Sequence, residues 1–310
     1  LCPGGRTWQD RNSMRTINEN FPVTQPIEAT DVEIRKMVKR ALAEDVGAGD
    51  VTTLATIPPS ACAQARIVAR EPLVVAGLAL AEAAFCVLPG PVSCERSTMD
   101  SAHVEAGATL LTIRARARTI LTAERVALNY LQRLSGIATL TSKYVSAVAG
   151  TKAQILDTRK TTPGLRFLEK YAVRCGGGRN HRFGLYDMIL IKDNHLVALR
   201  EARPNPVQVA VQRARMKYPK LRVAVEADTV DQVRQAVEAG ADWILLDNMS
   251  PRVLRAAVRL VNKRAVTEAS GGVTLDNVRA IAETGVDFIS VGALTHSARA
   301  VDIALDFDTV

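Results

Sequence analysis

The twenty residues from Gly176 to His195, GGGRNHRFGLYDMILIKDNH, put more chemistry around one short apolar run than a buried strand normally carries. Met188 to Ile191 has His181 and Arg182 ahead of it and Lys192, Asp193, Asn194 and His195 directly behind. A cation, a carboxylate, an amide and an imidazole in place of a bland turn ask for a ligand. Other apolar runs end in the same way: on Asp157, Arg159 and Lys160; on Glu226 and Asp228; on Asp247 and Asn248; on Glu268, Ser270, Gly271 and Gly272; and on Ser290 and Gly292. Arg159, Lys160, Arg166, Arg182 and Lys192 make a cationic set suited to a carboxylate or phosphate, which the guanidinium fork meets bidentately. The competing account of the same residues is a salt-bridged surface.

Glu226 and Asp247 end successive apolar runs and suit Mg²⁺, which takes oxygen ligands and lets a substrate phosphate complete its shell. A structural salt bridge to neighbouring lysines is the alternative. Ser270 to Gly272 and the stretch VGALTHSA, Val291 to Ala298, lead toward helices, and backbone N–H groups at such turns bind phosphate. His181 serves as either a ligand-contacting ring or a solvated loop histidine. No cysteine nucleophile and no Ser/His/Asp arrangement declares itself. The implied chemistry is metal-assisted, on a phosphorylated compound and a second, acidic one.

These residues act together only if the fold gathers them. After Gly150 the chain alternates apolar strands (AQILDT, DMILIKD, RVAVEAD, DWILLDN, AVTEASGG, DFISVGA) with helices such as TVDQVRQAVEAG and TLDNVRAIAETG, which predicts a parallel sheet. A β/α barrel brings all its strand ends to one face, whereas an open doubly wound sheet concentrates its chemistry at one switch point. Functional groups spread over six strand ends therefore favour the barrel.

Upstream, Thr30 and Glu33 form a capping box, Val32, Ile34, Met37, Val38 and Leu42 an apolar stripe, and Gly47 a stop. Short runs between Ala61 and Ile113 predict a small sheet, interrupted by a helix around LALAEAAFCVL. The stretch TILTAERVALNYLQRLSGIATLTSKYVSAVAG predicts two helices broken at Ser135 and Gly136, where the domain junction is placed. LCPGGRTWQDRNS lacks periodicity and is expected to be an extension, with Met14 a candidate start.

A chain of 310 residues with 47% apolar content buries one large core, or a larger domain and a smaller one. No window resembles a membrane span or a secretory signal, so a cytoplasmic protein is expected. Five scattered cysteines without a CxxC pair suggest neither zinc nor a disulfide framework. The net charge of +8 suits nucleic acid or small anions, but 4% aromatics dispersed among unclustered basic residues favour small anions.

DTRKTTPGLRFLEKYAV, GGGRNHRFGLYDMILIKDNH, VEADT, LLDN and EASGGV, together with ALAEDVGAGDVTT and AERVALNYLQRLSGIAT, closely resemble the quinolinate phosphoribosyltransferase family from about Thr30 to Phe307. The resemblance implies an α/β protein: an N-terminal open-faced α/β sandwich over residues 25–128, receiving the C-terminal return 299–310, and an incomplete α/β barrel over 129–298, after an extension over 1–24. It implies a homodimer, or an assembly of dimers, in which one subunit's sandwich covers the other's barrel mouth. Arg159, Arg182 and Lys192 would then bind quinolinate with His181 nearby, and Arg125 would enter from the partner. Lys160, Glu226 and Asp247 would serve phosphoribosyl pyrophosphate and Mg²⁺, with Ser270, Gly271, Gly272, Gly292 and His296 on the 5′-phosphate. Neither a nucleic acid nor a membrane is an expected partner. A related type II phosphoribosyltransferase using a monocarboxylate such as nicotinate, and a non-catalytic binding barrel, are the alternatives.

Overall fold

The structure is a computed structural model that describes residues 30–309; the extension expected over residues 1–24 lies outside the described residues. Helix α1 (Asp31–Val46) begins at the capping box, where Thr30 Oγ1 accepts from Glu33 N at 3.3 Å and Glu33 Oε2 accepts from Thr30 N at 2.9 Å. It stops at Gly47, whose φ of 53° suits a residue without Cβ. Val38 and Leu42 face the core, but Val32 is exposed and does not belong to the apolar stripe, since it sits in the first turn beyond the reach of the neighbouring helices.

After α2 (Val51–Thr56) come β1 (Cys62–Ala69), β2 (Leu73–Val74), α3 (Leu78–Cys86), β3 (Val92–Arg96), β4 (His103–Val104) and β5 (Thr109–Arg116). The last strand of the chain, β12 (Ile303–Thr309), returns to this region and pairs antiparallel with β1, giving the sheet order β12-β1-β5-β3. Helices α1, α3 and α4 (Ala117–Ala147) pack with one another, and α4 also lies against β1 and β5.

The break expected at Ser135 and Gly136 is absent, because α4 runs unbroken through both residues. Their small size serves packing instead. Ser135 Oγ accepts from Ala76 N at 3.0 Å, and a Cβ on Gly136 would lie 2.0 Å from the Arg299 carbonyl oxygen, so the chain returning to β12 crosses the helix at the one position without a side chain. Glycine inside a helix costs about 1 kcal/mol against alanine, and close backbone approach is the usual return.

The second half alternates strand and helix: β6 (Gln154–Leu156), α5 (Arg166–Cys175), β7 (Ile189–Ile191), α6 (Asp193–Ala198), α7 (Pro206–Lys217), β8 (Val223–Ala227), α8 (Val230–Glu238), β9 (Trp243–Asp247), α9 (Pro251–Val261), β10 (Val266–Ser270), α10 (Val278–Ala282), β11 (Phe288–Ser290) and α11 (Ala293–His296). All six predicted strands form, as one parallel sheet in the order β6-β11-β10-β9-β8-β7. First and last strands are neighbours, yet β6 and β7 stand at opposite ends without pairing, so the barrel is incomplete. The inward side chains near its base (Leu156, Met188, Ala224, Trp243, Val266 and Phe288) form a compact floor.

The gap between β6 and β7 is partly filled by the segment that follows Gly178. Arg179 bridges Leu156 in parallel, with Arg179 N donating to Ile155 O at 2.8 Å and Asp157 N to Arg179 O at 3.1 Å. Asp157 then captures the next residues: its carboxylate accepts from Asn180 Nδ2 at 2.6 Å, from His181 N at 2.8 Å and from Lys170 Nζ. Lys170 Nζ also donates to His181 O at 2.9 Å. Burial pushes the Asp157 carboxyl above and the Lys170 ammonium below their ordinary values, each against the pull of the other. Asp157, expected among the ligand-facing strand ends, is fully buried and structural instead.

Removing one partner of a buried pair strands the other charge. Lys170→Met should therefore lose on the order of 3–5 kcal/mol of stability, read as a lower urea midpoint at unchanged slope; a midpoint within error of the parent would refute the anchoring role.

Candidate functional site

Side chains on a strand alternate in direction, so residues two positions beyond the apolar floor face inward again. Above Ala224, Trp243, Val266 and Phe288 stand Glu226, Leu245, Glu268 and Ser290, and above these Asp247, Ser270 and Gly292. They line a cavity of about 790 Å³ at the C-terminal ends of the strands, shared with Arg159, Lys160, His181, Arg182, Lys192, Gly271, Gly272 and His296. Of the residues that the family resemblance assigns to the site, all but Arg125 are therefore gathered at one barrel mouth, whereas Asp157, Arg166 and Asp228 do not line it.

One side is cationic. Arg159 lies there with its Nε buried and without a hydrogen-bond partner, a donor awaiting an acceptor. Arg182 is 6% exposed, tethered by Nη1 to Met188 O at 3.1 Å. Burial, and then the like charge of Arg159, push its guanidinium below the ordinary value. An incoming anion relieves both effects. Lys160 is held through its backbone, its carbonyl accepting from Thr295 Oγ1 at 2.7 Å, while its side chain lies near Gly292. Arg166 does not join this group: its guanidinium binds Thr161 Oγ1 at 3.0 Å and Phe183 O at 3.0 Å, tying two loops together.

His181 is neither solvated nor poised for proton transfer. It is 6% exposed, its Nδ1 accepts from Arg182 N at 2.7 Å, and its Nε2 lies 3.2 Å from Glu268 Oε2. The backbone donor at Nδ1 assigns the ring proton to Nε2, which donates to the carboxylate. Both nitrogens are thereby engaged by the protein.

The opposite side is acidic. Glu226 Oε2 accepts from Lys192 Nζ at 2.9 Å, so Lys192 bridges toward the carboxylates and is not aligned with the arginines. Burial, then the nearby charges of Glu226 and Asp228, raise the Asp247 carboxyl above its ordinary 3.8, an arrangement a cation would relieve. Among the described residues no group of three or more His, Cys, Asp or Glu is gathered for a metal. Two carboxylates with substrate oxygens and water suit Mg²⁺, which seldom sits in an all-protein cage.

Between the two sides lies the glycine turn. Gly271 (φ 89°) could not carry a Cβ, which would fall 2.1 Å from Asn248 Oδ1. The helix expected over Thr274 to Gly285 shrinks to α10 because Asn277 turns the preceding residues: its Oδ1 accepts from Thr274 N at 2.9 Å and its Nδ2 donates to Gly272 O at 2.9 Å. Asn277 thus fixes the turn that it follows. After the next strand, at the end of α11, His296 is exposed, with Nδ1 2.6 Å from Ser297 Oγ.

Arg125 projects from α4 outside the cavity of its own chain. Sequence reasoning also overlooked Arg133, which donates to Glu169 Oε1 at 2.8 Å, to Ala298 O at 2.7 Å and to Thr295 O. Glu169, fully buried, accepts in turn from Thr162 N at 3.0 Å and Thr162 Oγ1 at 2.9 Å. The loops bearing Lys160 and Gly292 are both moored by this network. A glutamate and an arginine on helices 36 positions apart carry no pairing signal in a single sequence.

Fold and site together define an enzyme acting on anionic substrates at the mouth of an incomplete α/β barrel. Residues 50–135 match the family described as "Quinolinate phosphoribosyl transferase, N-terminal domain", and residues 137–306 match its "C-terminal domain". A Mycobacterium leprae protein named nicotinate-nucleotide pyrophosphorylase [carboxylating] is 45% identical over 281 residues, 88% of this chain and 96% of that one. A Bacillus subtilis protein named probable nicotinate-nucleotide pyrophosphorylase [carboxylating] is 41% identical, covering 89% of this chain and 93% of its own. The structure of the nicotinate-nucleotide pyrophosphorylase from Francisella tularensis superposes with a TM-score of 0.86 at 37% identity, over 92% of this chain and 99% of that one. The chain belongs to the quinolinate phosphoribosyltransferase family.

The raised Asp247 generates a test. A carboxyl whose pKa is higher in the fold than in the unfolded chain stabilises the fold while protonated and loses that contribution as pH rises through the folded pKa. Asp247→Asn should therefore melt above the parent at neutral pH without metal, and the difference should vanish as pH falls below 3.8. Calorimetry showing no gain at neutral pH would count against the crowded-carboxylate picture.

Proposed function

We propose that this protein transfers the phosphoribosyl group of phosphoribosyl pyrophosphate to quinolinate with loss of CO₂, forming nicotinate mononucleotide and pyrophosphate. The observation that carries the reading is the pair of partly buried arginines, Arg159 with an unpartnered Nε and Arg182 destabilised by its neighbour, opposite Glu226 and Asp247 in one cavity. Quinolinate bears two adjacent carboxylates, and holding them beside a sugar pyrophosphate demands several fixed cations. A monocarboxylate such as nicotinate would need fewer.

Arg159 and Arg182 bind the dicarboxylate, with His181 setting the position of Arg182. Lys192 stands between the two substrates through its bond to Glu226. Lys160 reaches the phosphoribosyl group, and the turn Ser270 to Gly272 with Gly292 and His296 takes its 5′-phosphate. Glu226 and Asp247 hold Mg²⁺, which when bound supplies charge neutralisation for the departing pyrophosphate. The ring nitrogen attacks the ribose C1 as pyrophosphate leaves, through a transition state with oxocarbenium character, and positioning supplies much of the rate. The ring nitrogen is then cationic and stabilises the carbanion left on C2 when its carboxylate departs as CO₂; C2 takes a proton from water to give the product, and no organic cofactor is required.

A homodimer completes the site in this reading. Arg125 is exposed on α4, and Leu185 and Tyr186 expose apolar side chains three and four residues beyond Arg182, a surface that a second subunit's sandwich would cover. Cys62, Cys86, Cys94 and Cys175 are unpaired, in keeping with a cytoplasmic setting. No helix among the described residues is long and apolar enough to cross a membrane.

The direct test incubates the protein with phosphoribosyl pyrophosphate, Mg²⁺ and either quinolinate or nicotinate. Equal amounts of pyrophosphate, CO₂ and nicotinate mononucleotide from quinolinate alone are expected; turnover of nicotinate would move the assignment to the monocarboxylate reaction. For the shared site, Arg125→Ala and Lys160→Ala should each lose turnover as homodimers. Mixing them should restore up to about a quarter of the parent specific activity, since random exchange makes half the dimers mixed and each mixed dimer holds one intact site. No recovery under verified subunit exchange would place Arg125 outside the site.

A further inference from the structure

Glu268 is a fully buried charge lining the cavity. It lies one inward position above the apolar floor and touches two named donors: Trp243 Nε1 at 2.6 Å and His181 Nε2 at 3.2 Å, both on Oε2. Its other oxygen, Oε1, is buried with no hydrogen-bond partner among the described residues. Burial works to raise its pKa, but His181, the nearby Ser290 hydroxyl and Trp243 outweigh that, so the carboxyl stays below its ordinary value. An anion is thus maintained at the bottom of a pocket otherwise suited to a dianionic substrate. Leaving one of its oxygens buried and unpartnered costs free energy that an apolar residue on the floor would avoid.

The reaction read above supplies a reason, and the inference rests on that reading. Quinolinate enters with a neutral ring. When the ring-nitrogen lone pair forms the bond to C1′, the C1′–oxygen bond breaks with its electron pair leaving on pyrophosphate, and the ring acquires one positive charge. That charge arises during the chemical step and is spread over the ring that Arg159 and Arg182 hold by its carboxylates. Glu268 lies within electrostatic reach of Arg182 and lines the same cavity. Glu226 and Asp247 are engaged elsewhere, with Lys192 and with each other's charge.

We propose that Glu268 is a catalytic counter-charge, a preorganised carboxylate that stabilises the pyridinium ring as N-ribosylation creates it. Its complementarity is to the charged ring and not to the incoming substrate, so it acts on the transition state. The donors on Oε2 keep the carboxylate ionised and in place, leaving Oε1 for the ring.

Two binding probes separate this role from a structural one: N-methylpyridinium-2,3-dicarboxylate, which carries the ring charge permanently, and benzene-1,2-dicarboxylate, which matches its two carboxylates on a neutral ring. Calorimetry on the whole parent protein should find the cationic ring bound at least about tenfold tighter, the scale on which close buried charge pairs act. Glu268→Gln should bring the ratio toward one while keeping affinity for the neutral dicarboxylate. It should also lower kcat more than it raises KM for quinolinate. A displaced Arg182 would weaken both probes alike and leave their ratio unchanged, which would overturn the proposal. A parent protein that binds both probes equally would also overturn it, whatever the fold of the variant, while leaving the dicarboxylate site intact. Failure of both probes to bind the parent would instead overturn the dicarboxylate reading on which the inference stands.

Discussion

An incomplete barrel has to hold its mouth open at one seam and still place side chains there to within a fraction of an ångström. Here the buried Asp157–Lys170 pair does this by binding backbone: together the two side chains hold both the N–H and the C=O of His181. A loop crossing a gap between unpaired strands has no ladder to fix it, so its polar groups must find side-chain partners. Once His181 is fixed, its Nδ1 holds Arg182 N and its Nε2 meets Glu268 across the barrel. The cationic half of the site and the buried Glu268 are thereby referred to one buried charge pair.

The charges around the mouth are zoned, and the zoning explains why the site is costly without its ligands. Arg159 and Arg182 repel across a desolvated space on one side, while Glu226, Asp228 and Asp247 crowd on the other. Collapsing the two zones onto each other would satisfy both, but the strands set them on different parts of the ring. Among the described residues Lys192, whose side chain is 45% exposed, reaches across to Glu226. Each zone is relieved by a bound group of opposite charge, an anion beside the arginines and a cation beside the carboxylates. Preorganisation of this kind is installed during folding, where the large core that Trp243, Phe288 and the outer helices bury can offset it.

The strand–helix rhythm was plain in the sequence because parallel strands buried on both faces read as apolar runs, and all six formed. The mouth residues were legible for the same reason, since chemistry placed just after such a run has one place to go. What escaped notice depended on partners distant in sequence. Gly136 looked like a break and is a contact with Arg299; Asp157 looked like a ligand group and is a buried anchor; Arg166 looked like substrate machinery and ties two loops. Glu268 stands in the sequence among the functional groups at its strand's end, without a role of its own. Its significance requires knowing that Trp243 and His181 converge on it.

Helix α4 ties an exposed residue to the barrel mouth. Arg125 and Arg133 lie eight residues apart on it, about 12 Å along one rigid axis. Arg125 faces outward, whereas Arg133 grips Glu169 and the Thr295 and Ala298 carbonyls, and through them the loops of Lys160 and Gly292. The approach of the Arg299 carbonyl at Gly136 adds a second contact between the returning chain and this helix, so the exposed Arg125 sits on the same continuous element that moors the loops of Lys160 and Gly292.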